Sequence, residues 1–253
     1  MKELIIEQLS NIEQRHNIKI LFACESGSRG WGFPSPDSDY DVRFIYARSV
    51  SHYLSVRDYE DTLTFPVNDM LDLSGWDLRK TLKLICKSNT TPFEWLQSPV
   101  IYKQDEDFSA SLWALCHSYY HQRANIHHYL GIAHGAMEAF TEGNKINIKK
   151  LFYILRPLLA AKWCLEKNSI APMAIEPLMS LLPGDLQSLI NELIALKATA
   201  AEGFIIHISD HLKDYINNEH HYCNEASKLL PRHQSDIKAL DEFFIKTITR
   251  HDY

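Results

Sequence analysis

The chain has 253 residues, 45% of them hydrophobic, with 26 lysines and arginines against 32 aspartates and glutamates, a formal net charge of −6. That length carries one large domain or two small ones with a buried core, and the charge excludes a strongly basic nucleic-acid coat while leaving room for a local basic patch. Five scattered cysteines (Cys24, Cys86, Cys116, Cys164 and Cys223), odd in number and never in a C-x-x-C pair, exclude a disulfide framework or a zinc knuckle and read as reduced thiols.

The N-terminal run MKELIIEQLSNIEQRHN carries acids throughout and neither a secretory nor a membrane-spanning apolar stretch, so the expected location is the cytoplasm, with no membrane partner. Ile5, Leu9 and Ile12 at i, i+4, i+7 predict an amphipathic helix ending near Asn17. IKILFAC then reads as a buried strand entering a turn at Ser26–Gly27–Ser28. DYDVRFIYA alternates with period two, Tyr40, Val42, Phe44 and Tyr46 on one face and Asp39, Asp41 and Arg43 on the other. DMLDL predicts a third strand with Asp72 opposite Leu71 and Leu73. SGWDLRKTLKLIC predicts a helix with Ser74 as N-cap, Asp77 at N3, and Leu78, Leu82 and Ile85 on its apolar face.

Beyond residue 105 the pattern is helical, with breaks expected at Gly143–Asn144, between Pro172 and Pro183, and around Asn217 to Pro231. INIKKLFYILRPLLAAKWCLEK carries the clearest apolar stripe, Leu151, Ile154, Leu155, Leu158 and Leu159, with Pro157 expected to kink the helix or mark its start. The fold class is therefore α+β: residues 1–105 with a short mixed sheet, followed by an all-helical domain, 106–253.

Within SGSRGWGFPSPDSDYDVR, Asp39 and Asp41 lie on one strand face, their backbones roughly 6 to 7 Å apart at about 3.3 Å per residue. Same-face carboxylates this close repel unless a cation lies between them, and Mg²⁺ prefers one or two carboxylates together with substrate phosphates. Two metals about 4 Å apart can be held by such bridging carboxylates, with Asp72 as a third ligand or as the proton acceptor for an attacking hydroxyl. Gly27 allows close backbone approach, while the Ser28 amide and hydroxyl and the Arg29 guanidinium offer donors to phosphate oxygens. Together these describe a nucleoside triphosphate site with its metals; taken singly, a Gly-Ser pair is a turn and SPDSDYD a solvated loop.

GSRGWGFPSPDSDYDVRF resembles the signature of the DNA polymerase beta-like nucleotidyltransferase superfamily: Gly-Ser, a spacer, Asp-x-Asp entering a strand, and a third acid on a later strand. SGWDLRKTLKL, FEWLQSPVIY and KKLFYILRPLLAAKW are similar to the RNA repair pathway DNA polymerase beta family, a resemblance covering most of residues 20 to 170. It implies metal binding by Asp39 and Asp41, a phosphate turn at Gly27 and Ser28, and Asp72 as third acid, with Asp77 the alternative and Asp37 a loop residue. It implies transfer of a nucleoside monophosphate from an NTP to an acceptor hydroxyl, pyrophosphate leaving, with two Mg²⁺ ions (or Mn²⁺) and RNA as the favoured acceptor. A protein or small-molecule acceptor, or a nucleotide-binding module without turnover, are the alternatives. It also implies a helical segment closing the nucleotide site, for which Lys149, Lys150, Tyr153 and Arg156 are candidates; a solvated basic helix edge is the other reading. Arg79 and Lys80 read as surface residues able to face phosphate, Trp76, Trp95 and Tyr102 as core residues able to stack on a base, and the histidines as polar helix residues.

Overall fold

The computed structural model describes residues 1–68, 70–141, 143–201, 203–232 and 235–252, with the backbone alone at 66–68. The chain forms two compact units interleaved in sequence. The first comprises Met1–Gly30, Asp39–Tyr119 and Gln234–Tyr253; the second comprises Trp31–Ser38 and Tyr120–His233.

In the first unit, helix α1 (Lys2–His16) buries Ile5, Leu9 and Ile12 and ends at Asn17, whose left-handed backbone (φ 47°) returns its N–H to Glu13. Strands β1 (Lys19–Glu25), β2 (Tyr40–Ala47), β3 (Thr62–Asn68), β4 (Leu71–Asp77) and β5 (Ile101–Gln104) form a mixed sheet in the order β3-β4-β2-β1-β5. β1 is antiparallel to both β2 and β5, β3 is antiparallel to β4, and β2 and β4 run parallel. The apolar face of β2, Val42, Phe44 and Tyr46, joins Leu71, Leu73 and the α1 side chains in one core. Gly75 pairs with Phe44 across the parallel ladder, and a Cβ there would fall 2.0 Å from the Phe44 ring. The glycine is the hollow that the ring fills.

The helix after β4 begins later than its sequence suggests. Ser74 lies inside the strand, paired with Arg43 and Thr64. LDLSGWD alternates buried and half-buried residues to its end, so strand geometry continues to Asp77, which is itself the N-cap: its Oδ1 accepts the Arg79 amide at 2.7 Å. Helix Leu78–Cys86 follows, then the shorter Thr90–Trp95, and Glu106–Ser118 after β5. The helix Lys238–Arg250 returns to this unit, with Phe243 against Phe108 and Phe244 against Tyr53. β3 and β5 are additions to the three expected strands.

Among the described residues the second unit is mainly helical, with an antiparallel ribbon of Lys145–Asn147 and Ile205–His207, three residues on each side, which the all-helical expectation lacks. Its central helix, Ile148–Lys167, contacts Gln122–Met137 and Asp210–Lys228 and buries twelve side chains. Asn147 caps it by accepting from the Lys149 and Lys150 amides. Pro157 sits buried in mid-helix, ten residues past Asn147, so it does not mark the start. The break expected around Asn217 to Pro231 falls at the later end of that range: Asp210–Lys228 runs unbroken through Asn217 and Asn218, which face outward while Leu212, Ile216, Glu219, Cys223 and Ser227 form the buried stripe, and the helix stops at Leu229, before Pro231. The segment Trp31–Ser38 is held here by Phe33, whose ring stacks on Phe152 at 4.9 Å and whose carbonyl accepts from the buried Lys197 Nζ at 2.8 Å. Burial, and then the nearby Lys149 charge, push the Lys197 pKa below the usual lysine value.

Candidate active site

The parallel register of β2 and β4 sets Asp41 directly opposite Asp72. Arg43, two residues along β2 and therefore on the same face, places one nitrogen, Nη2, 3.0 Å from Asp41 Oδ1 and 2.8 Å from Asp72 Oδ2. Its Nη1 donates to the carbonyls of Val42 (3.1 Å) and Asp72 (3.2 Å).

Behind Asp41 lies a buried polar frame. Glu25, the last residue of β1, is 1% exposed and accepts the Asp41 amide through Oε1 at 2.8 Å, while the Tyr102 hydroxyl donates to its Oε2. The Ser98 hydroxyl donates to the Glu25 carbonyl at 2.6 Å. Burial pushes the Glu25 carboxyl above the usual carboxylate range, against the lowering effect of the Tyr102 and Asp41 hydrogen bonds. Burial first, and then Glu25, raise the Tyr102 phenol.

The glycine turn closes on the same carboxylate. Ser26 donates its amide to the Asp41 carbonyl at 2.8 Å, and Gly27 follows at φ +57°, opening a short helix, Gly27–Trp31. An ideal Cβ at Gly27 would lie 1.9 Å from Asp41 Oδ2. Ser28 is buried, and Arg29 donates from Nε to the Asp39 carbonyl at 3.2 Å with its guanidinium 4.1 Å above the Tyr40 ring.

Gly27, Asp41 and Asp72 thus converge, and Asp39 stands exposed immediately before β2, tied in through its backbone to Arg29. Among the described residues no three acids, histidines or cysteines are gathered as a metal cluster. The donor set nevertheless fits divalent cations: two facing carboxylates on adjacent strands, with a turn that only glycine can bring this close. Asp77 takes a different place, buried at the far end of β4, capping its helix and accepting the Tyr53 hydroxyl at 3.0 Å. Five residues of strand, roughly 16 Å, separate it from Asp72. Arg79 and Lys80 are at that end too, Arg79 stacked on Tyr53 and Phe244 and Lys80 paired with Asp61. Asp37 lies in the loop Trp31–Ser38.

Lys149, Tyr153 and Arg156 belong to the second unit. Arg156 is 2% exposed rather than at a solvated edge: its Nε donates to the Met173 carbonyl at 3.1 Å and its guanidinium lies over Trp31 and Tyr129. Tyr153 meets the Trp31 ring edge-on at 5.2 Å, and Lys149 is half-buried in the first turn of its helix. In the first unit Trp95 and Tyr102 are core residues, with the Trp76 ring tilted against that of Trp95, centroids 4.3 Å apart. Sequence reasoning missed Glu25 and Arg43. Glu25 had a signal, a lone acid closing an apolar strand just before the turn; the role of Arg43 depends on the β2–β4 register.

A sequence profile of the RNA repair pathway DNA polymerase beta family (RlaP) matches residues 1–246. The chain is 37% identical over 251 residues to the uncharacterized protein YcgL of Bacillus subtilis (strain 168), covering 98% of this chain and 96% of that protein. Among solved structures, it is similar to a nucleotidyltransferase-like protein from Exiguobacterium sibiricum 255-15 (11% identity, TM-score 0.32, covering 98% of this chain and 81% of that one). It is also similar to spectinomycin adenyltransferase AAD(9) from Enterococcus faecialis, solved with ATP and spectinomycin (12% identity, TM-score 0.37, covering 88% and 98%). The chain belongs to the RNA repair pathway DNA polymerase beta family and is a nucleotidyltransferase of that kind.

Proposed function

We propose that the protein transfers a nucleoside monophosphate from an NTP to an acceptor hydroxyl, releasing pyrophosphate, with an RNA terminus as acceptor, in the cytoplasm. The observation that carries this reading is the in-register pairing of Asp41 with Asp72 beside a glycine turn with no room for a side chain. The acids, the glycine turn and Arg29 all belong to the first unit, Met1–Gly30 and Asp39–Tyr119 with the helix Lys238–Arg250, whereas the buried Arg156 is committed to the Met173 carbonyl and is not a nucleotide contact. RNA as acceptor draws its support from the family's description. Among the described residues no helix is long and apolar enough to cross a membrane.

Asp39, Asp41 and Asp72 would hold two divalent ions, Mg²⁺ or Mn²⁺, which when bound neutralise charge on the triphosphate. Gly27 lets the triphosphate approach the main chain, and Ser28 and Arg29 donate hydrogen bonds to its β- and γ-phosphates. Asp72 accepts the proton of the acceptor hydroxyl as that oxygen bonds to the α-phosphorus and the bond to the bridging oxygen breaks. Glu25 and Tyr102 keep the Asp41 backbone fixed throughout.

Incubation with each α-labelled NTP, Mg²⁺ and either total RNA, protein extract or small-molecule extract tests the proposal, with Asp39→Ala and Asp41→Ala as controls. Label moving to RNA only with the aspartates intact is expected. Label on protein or a small molecule would replace RNA as the acceptor. Metal-dependent NTP binding without transfer to any acceptor would make the protein a nucleotide-binding module, and transfer undiminished in both variants would overturn the site.

A further inference from the structure

The two facing acids are already bridged by a cation of the chain's own. Asp41 and Asp72 are paired across adjacent strands, and strands in a sheet lie about 4.8 Å apart, a spacing at which two carboxylates repel. Arg43 Nη2 reaches both, at 3.0 and 2.8 Å. We propose that Arg43 is the internal counter-cation of this pair, displaced from the carboxylates when a divalent ion enters, so that it sets the metal affinity of the site. The inference rests on reading Asp41 and Asp72 as metal ligands.

The geometry suits an exchangeable bridge. Side-chain exposures of 20% for Arg43, 27% for Asp41 and 32% for Asp72 mean that Nη2 can leave the carboxylates for solvent without opening a core. Nη1 is bonded to the main-chain carbonyls of Val42 and Asp72, so the guanidinium keeps a tether that does not involve the carboxylates. A monovalent ion brings no more charge than the arginine it would displace, whereas a divalent ion brings twice as much. Arg43 therefore discriminates against monovalent ions and keeps the acids neutralised before metal arrives.

Mn²⁺ binding to the full chain without nucleotide, read from the loss of the free-ion EPR signal, distinguishes the alternatives for wild type, Arg43→Gln, Arg43→Lys and Asp72→Asn. Arg43→Gln is expected to bind Mn²⁺ about tenfold more tightly than wild type, with Arg43→Lys between them. In EDTA, Arg43→Gln is expected to melt below wild type, the deficit closing as Mn²⁺ is added. Equal or weaker binding by Arg43→Gln, with Asp72→Asn still abolishing binding, overturns the proposal alone and makes Arg43 a fixed positioning group. Absence of binding in all four proteins overturns the metal-site reading and this inference with it. Should Arg43→Gln fail to fold, Arg43→Lys decides: tighter binding than wild type supports the exchange, and equal or weaker binding overturns it.

Discussion

The Cβ that Gly27 lacks would lie 1.9 Å from Asp41 Oδ2 and 2.8 Å from its carboxyl carbon. Gly27 also stands at φ +57°, where an L-residue costs about 1–2 kcal/mol. Gly27→Ala is therefore expected to lose about that much stability and to push the carboxylate aside. A displacement of about 1 Å can cost on the order of 100-fold in rate. Thermal melting and label transfer on one preparation check both effects; full activity in the variant would show that Asp41 need not stay where it is.

Glu25 and Tyr102 should act on the site through the Asp41 backbone. Tyr102→Phe removes the donor to a buried carboxylate oxygen, an expected loss of about 1–3 kcal/mol. Glu25→Gln keeps an acceptor for the Asp41 amide and is expected to be milder than Glu25→Ala, which leaves that amide without its side-chain acceptor. Hydrogen exchange at the Asp41 amide reads the frame directly, with protection falling from wild type through Gln to Ala. Unchanged protection in Glu25→Ala would remove Glu25 from this role.

Asp77 gives a pH dependence whose direction follows from its burial. Burial holds its carboxyl above the usual aspartate value of about 3.9, although the Arg79 amide, the Tyr53 hydroxyl and the neighbouring arginines pull it down. The folded state binds this proton more tightly than the unfolded chain, so the contribution to stability is complete below that usual value and is lost as pH rises through the raised one. Asn caps a helix as well as Asp does, so Asp77→Asn should remove this pH dependence and fold normally. Asp77→Ala should lose about 0.5–2 kcal/mol of capping. Urea unfolding from pH 4 to 7 tests this: the stability of wild type relative to Asp77→Asn should fall as pH rises, and a constant difference would contradict it.

Gly75 and Phe44 should behave as one packing unit. Gly75→Ala places a methyl group 2.0 Å from the ring, and overpacking of this kind costs about 1–3 kcal/mol. Phe44→Leu frees space on the same face, so the double variant is expected to be more stable than the sum of the single losses, with a coupling of about 0.5–3 kcal/mol. Strict additivity in denaturant melts would show that the strand shifts instead.

The parts of this fold that were legible in the sequence are those set by local periodicity. The i, i+4, i+7 spacing of Ile5, Leu9 and Ile12 gave α1, and the alternation around Asp41 gave both faces of β2. The local signals that misled were Ser74–Gly75, which looks like a helix entry but serves to make room for Phe44, and Asn217–Asn218, which looks like a break but occupies an exposed helix face. β3 contains Pro66, a residue that reads against a strand, and β5 is a four-residue edge strand; neither has a strong pattern. The Asp-x-Asp spacing and the strand around Asp72 pointed to the acids, but the direct opposition of Asp41 and Asp72 and Arg43's place between them arise from a parallel pairing of residues about thirty positions apart, invisible to any window along the chain.

The interleaving of the two units bears on the order in which the protein forms during synthesis. The chain passes from one unit to the other at 30/31, 38/39, 119/120 and 233/234. Domains emerging from a ribosome ordinarily fold N-terminal first. Here the sheet-bearing unit still lacks the helix Lys238–Arg250, and with it Phe243 against Phe108 and Phe244 against Tyr53, when the whole of the second unit has already been made. The first unit therefore stays incomplete while the intervening residues 120–233 are made, and a chain cut before residue 238 leaves Phe108 without Phe243 and Tyr53 without Phe244.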